Sequence, residues 1–356
     1  MNELERQLDY PLADALPRIG STLEVLPGIR WVRMGLPFAL DHINLWLLRD
    51  RLDGRDGWTL VDCGIADDAT RAAWQQVFAS QLNGLPVLRV IVTHMHPDHI
   101  GLADWLTRRW STPDHECRLW ISATDFNTAR LITSVDTGAG GDAAANFMAS
   151  HGLSDPAAIE KIRVRSNHYA SMVPAVPRRY RRLLDGAELS IGGQSWRCIA
   201  GYGHAPEHMS LHNEQLGVMI SGDMVLPRIS TNVSVIDLEP EADSLRLYLD
   251  SLERLRAVPG ETLVLPSHGR PFRGLHTRID QLQAHHAERL DAVVDACAEA
   301  PQTAASMLTL LFHRKLDLHQ TTFAMGEAIA HLNLLWLAGR LERRLVDGVH
   351  RFSAPR

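Results

Sequence analysis

Short runs of alternating apolar and polar residues open the chain, and turn-forming residues separate them. The alternation predicts four strands, at residues 22–26, 30–34, 42–48 and 58–61. The separators are rich in proline, glycine and aspartate, which is typical of short connections between strands. We therefore expect the fold to begin with an antiparallel sheet.

From residue 67 the pattern changes to an alternation of helix and strand. Helical spacing covers residues 67–78 and 99–110, and apolar strand patterns cover residues 85–92 and 118–122. This order is typical of an α/β layer. Mostly helical patterns from 123 to about 175 interrupt the alternation, and we interpret them as an insertion at the rim of the fold that roofs the site.

A second section rich in strands follows, and it repeats the order of strands, helix and strand. Strands are predicted at 188–191, 195–200, 209–212, 217–221 and 262–265, and a helix at 243–257. No repeat of fixed period relates the two halves in sequence. The two halves together predict an α/β fold.

The remaining part of the chain has helical patterns and ends in a turn between two extended runs. The predicted helices cover 275–298, 303–312 and 321–341, and Asp347-Gly348 predicts a hairpin within 342–353. Three helices and a hairpin predict a small winged-helix-like domain at 273–356, after a catalytic domain at 1–272. The apolar stripe of the last helix is typical of core, and it also makes a homodimer reasonable.

The composition is that of an ordinary globular protein and narrows the choice of partners. The 356 residues are 45% hydrophobic and carry a formal net charge of −6, which gives no reason to expect an anionic membrane as partner. Residues 275–356 hold nine Lys and Arg against nine Asp and Glu, so the basic surface of a nucleic-acid-binding domain is missing there. The four cysteines form no CxxC pair, and no leader or membrane-length apolar segment is found, so we expect a cytoplasmic protein.

Three histidines and an aspartate stand together directly after the apolar segment 88–92. They are His94, His96, Asp98 and His99. Open α/β sheets place their ligands at the carboxyl ends of strands, and imidazoles with carboxylates suit zinc or iron. The cluster therefore predicts a metal site at the end of this strand.

Three further motifs stand at the ends of predicted strands in the second section. They are Gly203-His204, Ser221-Gly222-Asp223 and Pro266-Ser267-His268-Gly269. With HxHxDH at 94–99, this order of motifs resembles the metallo-β-lactamase superfamily over roughly residues 20–270. The resemblance implies an αββα sandwich.

The resemblance also implies two divalent metal ions. By it, His94, His96 and His204 would bind the first ion, Asp98, His99 and His268 the second, and Asp223 would bridge the two. We expect zinc, with iron or manganese as alternatives. Relatives with di-iron redox chemistry typically have Glu where His96 stands, so the resemblance favours a hydrolase that uses a metal-bridging hydroxide.

Asp98 and three residues near these motifs are candidates for supporting roles. Asp62, at the end of the predicted strand 58–61, matches an aspartate that orients a ligand histidine in the family. Asp98 is a candidate for protonating the leaving group, Tyr202 for donating a hydrogen bond to an oxyanion, and His208 for orienting the site or contacting substrate. Glu207 replaces a glycine of the pattern common in thioesterase-type and lactonase-type relatives.

These observations predict a metal-dependent hydrolase of a small-molecule thioester, ester or lactone. The arginine-rich residues 177–182 and Arg228 would favour an anionic acyl substrate if they border the cleft. Because an RNA-cleaving branch of the superfamily also has a C-terminal extension, an endoribonuclease or phosphodiesterase is the alternative. A non-catalytic scaffold is the third interpretation.

Overall fold

Two β-sheets pack face to face, and helices cover the outer face of each, in the computed structural model of the chain. The structure describes residues 2–38, 40–135, 140–165, 168–313 and 315–355. This arrangement confirms the predicted αββα sandwich.

The first sheet has seven strands that follow the order of the chain. They are β1 (Thr22–Leu26), β2 (Ile29–Gly35), β3 (His42–Leu52), β4 (Arg55–Val61), β5 (Val87–Ile91), β6 (Arg118–Ser122) and β7 (Tyr180–Leu183). Strands β1 to β4 are antiparallel, and β4 to β7 are parallel. The predicted antiparallel opening and the α/β layer are thus both confirmed, within one sheet.

Strand β7 is absent from the prediction, which gave the arginine-rich residues 177–182 no secondary structure. In the structure Tyr180–Leu183 pair with β6 at the edge of the sheet. Arg181 and Arg182 are exposed and Leu183 is buried. Charged side chains are common on edge strands because they discourage pairing with another chain.

The second sheet has five strands in the order β12-β11-β10-β9-β8. They are β8 (Glu188–Ile191), β9 (Gln194–Gly201), β10 (His208–Asn213), β11 (Val218–Gly222) and β12 (Leu263–Pro266). The pairs β8–β9, β9–β10 and β10–β11 are antiparallel, and the pair β11–β12 is parallel.

Alternation along the strands divides the side chains between the two faces of the first sheet. Trp46 and Leu48 of β3 point into the layer between the sheets, where they meet Trp196 of β9, whereas Leu45 and Leu47 face the outer helices. All of these side chains are buried. The layer between the sheets is therefore filled by apolar side chains, and polar side chains lie at its edge.

The helices before the C-terminal part lie outside the sheets. They are α1 (Asp68–Ser80), α2 (Pro97–Ile100), α3 (Ala103–Trp110), α4 (Ala123–Ser134), α5 (Gly141–Ser150), α6 (Pro156–Arg163), α7 (His168–Met172) and α8 (Ser244–Leu255). The helix predicted for 99–110 is divided into α2 and α3 at Gly101. A Cβ atom on Gly101 would lie 2.5 Å from the carbonyl oxygen of Pro97 and 2.8 Å from the backbone nitrogen of Ala66. Close backbone approach thus requires glycine here.

The helical segment 123–175 does more than border the rim. Phe126 of α4 and Tyr169 of α7 join the apolar cluster on the outer face of the first sheet. Phe147 of α5 and Ile162 of α6 join the cluster on the other side of the molecule. The segment therefore connects the two outer helical layers, and its predicted boundaries stay a prediction.

The C-terminal part consists of three helices and a hairpin. These are α9 (Leu275–Glu299), α10 (Ala304–Leu311), α11 (Leu318–Leu337), β13 (Glu342–Val346) and β14 (Val349–Ser353). Its apolar side chains continue the cluster on the outer face of the second sheet. Ile279 of α9 and Ile329 of α11 belong to the same buried cluster as Val264 of β12 and Leu245 of α8.

The apolar stripe predicted on the last helix packs within the chain. Leu332 and Leu335 of α11 are fully buried. The boundary at residue 272, the winged-helix likeness and the homodimer stay predictions. Among the residues that the structure describes, no helix combines the length and apolar character that a membrane crossing requires.

Candidate metal centre

The seven predicted metal ligands converge at one edge of the sandwich. The four residues of the HxHxDH motif follow β5, and the others follow β9, β11 and β12. Two groups form, in each of which the ligand atoms lie within 4.8 Å of one another: His94, His96, His204 and Asp223, and Asp98, His99 and His268. The fold thus brings all seven residues together.

In the first group, three ring nitrogens approach one point. Nε2 of His94 lies 2.8 Å from Nδ1 of His96 and 3.1 Å from Nε2 of His204, and the His96 and His204 nitrogens are 3.1 Å apart. A neutral imidazole has only one N–H, so three such nitrogens cannot all bond one another as donors and acceptors. A cation at the shared point would accept all three lone pairs.

The second group combines a carboxylate with two imidazoles. Oδ2 of Asp98 lies 3.4 Å from Nε2 of His268 and 3.6 Å from Nε2 of His99. His99 Nε2 is buried and has no hydrogen-bond partner in the described part of the chain. Nitrogen and oxygen ligands without any thiolate suit zinc, iron or manganese.

Asp223 lies between the two groups. Its Oδ2 is 3.4 Å from Nε2 of His204 and 3.6 Å from Nε2 of His99, and its Oδ1 is 3.5 Å from Nε2 of His268. Oδ1 is buried and accepts no hydrogen bond from a described residue. This position fits the bridging role predicted for Asp223, and the unpartnered buried atoms fit a site made for cations.

Hydrogen bonds behind the histidines fix which nitrogen faces the site. Nδ1 of His204 contacts the Asn232 carbonyl oxygen at 2.7 Å, and Nδ1 of His268 contacts the His42 carbonyl oxygen at 2.7 Å. Because a carbonyl oxygen only accepts, each Nδ1 carries the proton and donates it. Each Nε2 is then the nitrogen that faces the site.

Asp62 has the same role for His99, as the sequence predicts. Its Oδ2 lies 2.8 Å from Nδ1 of His99, and its Oδ1 accepts the Thr93 backbone N–H at 2.8 Å. Asp62 is buried and has a φ of 62°, in the left-handed region that aspartate tolerates better than most residues. The strand end is thus shaped to hold this carboxylate against the predicted ligand His99.

We expect Asp62→Asn to weaken metal binding about 10–100-fold, the usual cost of losing such a partner. An asparagine presents one acceptor oxygen instead of two, so His99 and Thr93 cannot both keep their bonds. Titration of metal-free protein with zinc measures the change. Asp67→Asn is the matched control, because Asp67 caps α1 through Thr70 at 2.6 Å, away from the ligands. Unchanged zinc affinity in Asp62→Asn would refute the role.

The protonation states of the two groups differ. Burial lowers the pKa of His94 well below its ordinary range and that of His96 to about 3, so both rings are neutral. For His268 burial also acts to lower the pKa, but Asp223 and Asp98 outweigh it and raise the pKa to about 10. Without metal, the first group therefore presents free lone pairs, whereas His268 holds a proton.

The structure places His208 beneath the ligands. It is fully buried, its ring centre is 5.0 Å from that of His94, and its Nε2 accepts the Asp223 backbone N–H at 3.1 Å. A Cβ atom on Gly222 would lie 2.1 Å from that Nε2, so the Gly-Asp motif needs its glycine to let His208 approach. The catalytic role predicted for His208 stays a prediction, and these contacts favour positioning of Asp223.

Tyr202 lies immediately before the His204 loop and is half-buried. Its ring packs against the apolar layer between the sheets, and its backbone N–H donates to Ser251 Oγ of α8 at 2.9 Å. Its predicted role as a hydrogen-bond donor to an oxyanion stays a prediction.

The positively charged residues singled out in the sequence have different partners in the structure. Arg181 of β7 lies over the Trp120 ring, with 4.8 Å between its guanidinium carbon and the ring centroid. Arg228 is exposed, and its Nε lies 3.9 Å from a carboxylate oxygen of Glu5. Their part in substrate binding stays a prediction.

Two residues of β3 that hold the His268 loop are absent from the prediction. The ring of His42 accepts the Gly269 backbone N–H at 2.9 Å. Asn44 donates to the carbonyl oxygens of Pro266 and Gly269, each at 2.9 Å. The available signal was the presence of two polar side chains on the inward face of an otherwise apolar strand.

Two family models match the chain. One, described as "Metallo-beta-lactamase superfamily", matches residues 39–268, and the other, "Metallo-beta-lactamase-like, C-terminal domain", matches residues 290–355. Among curated proteins, the chain is 26% identical over 315 residues to "Probable metallo-hydrolase YqjP" of Bacillus subtilis. The aligned region covers 85% of this chain and 91% of that protein.

Solved structures give the same result over nearly the full length. A beta-lactamase domain protein from Burkholderia ambifaria is 57% identical, with a TM-score of 0.94, covering 99% of this chain and 100% of that one. A metallo-beta-lactamase family protein from Thermus thermophilus is 26% identical, with a TM-score of 0.74, covering 93% and 100%. Similarity at this level extends through the C-terminal helices as well as the sandwich.

Proposed function

The chain belongs to the metallo-β-lactamase superfamily and is a metallo-hydrolase, and we propose that it hydrolyses a small-molecule thioester, ester or lactone with two divalent metal ions, most simply zinc. The observation that carries the proposal is the position of Asp223, within 3.4–3.6 Å of histidines from both ligand groups. A carboxylate in that position suits a pair of cations. A closed structural site, by contrast, would hold a single cation with four ligands.

The bound ions would supply Lewis acidity and a water of lowered pKa. The protein contributes the fixed orientation of the His99, His204 and His268 imidazoles through their Nδ1 bonds. Asp98 is partly open to solvent, with 18% of its side chain exposed, so it can pass a proton between the site and a leaving group. Tyr202, next to His204, is the proposed donor to the carbonyl oxygen of the substrate.

Arg33 supports a preference for anionic acyl substrates. It pairs with Asn44 across β2 and β3, so the two side chains stand side by side on the face that holds the His268 loop. Arg33 is half-buried, which lowers its pKa, and the charge of the nearby Asp41 carboxylate acts against this effect. A guanidinium in this state can bind a carboxylate or phosphate group of a ligand.

A substrate panel tests the proposal. Purified protein is loaded with zinc and offered acyl thioesters, esters, lactones and single-stranded RNA, each with and without chelator. We expect chelator-sensitive turnover of an acyl compound. RNA cleavage without acyl turnover would establish the endoribonuclease instead, and a protein that takes up no metal would support the non-catalytic scaffold.

The same panel tests the anionic preference when each acyl compound is offered in neutral and carboxylate-bearing forms. We expect Arg33→Gln to raise KM for the anionic form about tenfold and to leave KM for the neutral form unchanged. A tenfold change is the size expected for the loss of one charged hydrogen bond. Arg51→Gln is the matched control, because Arg51 is an exposed arginine of β3. Equal KM changes for both forms would contradict the preference.

A further inference from the structure

Met95, the residue between the ligands His94 and His96, has both of its backbone polar groups bonded to side chains of the helical segment 123–175. Its N–H donates to Oδ1 of Asp125 in α4 at 2.8 Å. Its carbonyl oxygen accepts the hydroxyl of Tyr169 in α7. Both side chains are buried, Asp125 completely.

Asp125 also reaches the loop that carries His204. Its Oδ2 accepts the Glu207 backbone N–H at 2.6 Å, three residues after that ligand. One buried carboxylate therefore holds the loops of three predicted ligands of the first group. The Ser122 hydroxyl at the start of α4 caps the Asp125 backbone N–H at 3.2 Å, which fixes the carboxylate within the first helical turn.

A second bond connects the same two parts, this time from a side chain of the His204 loop to α4. Oε2 of Glu207 accepts the hydroxyl of Thr124 at 2.8 Å and lies 3.4 Å from the backbone nitrogen of the same residue. A glycine at position 207, as in the thioesterase-like pattern, would have no side chain for this bond. The departure at Glu207 thus has a structural use in this chain, as a connection from the His204 loop to α4.

We propose that Asp125 and Tyr169 are positioning residues that couple the helical segment to the geometry of His94, His96 and His204. The proposal rests on the metal-ligand role of these histidines. Rotation of the Met95 peptide units would move the two flanking imidazoles, and the bonds to Asp125 and Tyr169 oppose that rotation. A change in the packing of α4 or α7 on substrate binding would therefore reach the first metal ion.

The coupling works in both directions, as any linkage between two sites does. Metal binding should hold the three histidines, and with them the loops that bond Asp125 and Tyr169. The amides of α4 and α7 should then exchange more slowly with solvent in the loaded protein than in the metal-free protein.

The test compares Asp125→Asn and Tyr169→Phe with the wild type in hydrogen exchange, with and without zinc, and in the absorption spectrum of the cobalt(II)-loaded protein. We expect both variants to lose most of the metal-dependent protection in α4 and α7. Their cobalt spectra should shift, and zinc affinity should fall about 10–100-fold for Asp125→Asn. Two controls remove a similar group without touching Met95. Asp155→Asn alters the cap of α6, and Tyr180→Phe removes the hydroxyl from a ring whose centroid lies 3.9 Å from that of Phe126.

Unchanged cobalt spectra and unchanged metal-dependent protection in folded variants would overturn the proposal. If Asp125→Asn does not fold, Tyr169→Phe and Thr124→Val give the same comparison, and Asp125→Glu should restore only part of the wild-type spectrum. Metal uptake by the wild type is measured first, without substrate. Failure there refutes the proposed metal centre itself, whereas a wild type that binds metal beside unaffected variants refutes only the coupling.

Discussion

Replacing Asp223 by asparagine should lower kcat/KM about 10³-fold, the upper range for removing one group that gives electrostatic stabilisation at a reacting centre. The reason is its position: a single carboxylate lies within 3.6 Å of imidazoles from both ligand groups. An amide at this position has one acceptor oxygen and no charge, so it cannot offset two cations. Metal analysis after dialysis should show that fewer ions are retained than by the wild type, and steady-state hydrolysis of the substrate found by the panel measures the rate.

The matched control is Asp243→Asn. Asp243 stands at the start of α8 and has Arg246 as its ion-pair partner at 3.8 Å. We expect this variant to keep wild-type metal content and activity. An Asp223→Asn protein that retains both ions and turns over at the wild-type rate would show that the carboxylate does not bridge.

The second group of ligands should take up metal with release of protons, and the first group without it. In the metal-free protein, Asp223 and Asp98 overcome the effect of burial and raise the pKa of His268 to about 10 from an ordinary 6.5. The pKa of His99 is raised in the same direction by Asp98 and Asp62, again against burial. Since a ligand nitrogen must be deprotonated, affinity at this group should rise about tenfold per pH unit for each proton displaced.

The sign of the accompanying stability change follows from the same shift. The proton on His268 stabilises the folded metal-free protein fully below pH 6.5, and this contribution is lost as pH rises through about 10. Calorimetric zinc titrations in buffers of different ionisation enthalpy, over this interval, count the protons. The first group is the internal control, because burial keeps the pKa of His96 at about 3. Equal proton release at both steps would contradict the assignment.

The convergence of the seven candidate ligands was predictable because their signal in the sequence is dense and local. Three histidines and an aspartate after one apolar strand leave few other uses for those side chains, and each remaining ligand follows a strand of its own. Periodicity also located most strands, since alternation is a direct result of burying one face. The separation of α2 from α3 was harder to predict, because part of the crowding at Gly101 comes from the backbone of Ala66, on a different loop.

The residues that hold the ligands were not predictable in this way. Asp125 is 30 positions from Met95 and 82 from Glu207, and nothing near it in the sequence marks it as more than a residue of the first turn of a helix. His42 and Asn44 contact residues more than 220 positions away. Their functions depend on which loops the sandwich brings together, which is a property of the complete fold.

The buried cluster that joins the second sheet to the C-terminal helices also determines how the molecule loses its structure. Because Val264 and Leu245 share their apolar contacts with Ile279 and Ile329, neither part has a complete core without the other. In addition, the carbonyl oxygen of Gly326 in α11 accepts the backbone N–H of Val235. Val235 lies on the same loop as Asn232, whose carbonyl oxygen orients His204. We therefore expect the sandwich and the C-terminal helices to lose their structure together, and the candidate metal site to form only when both are folded.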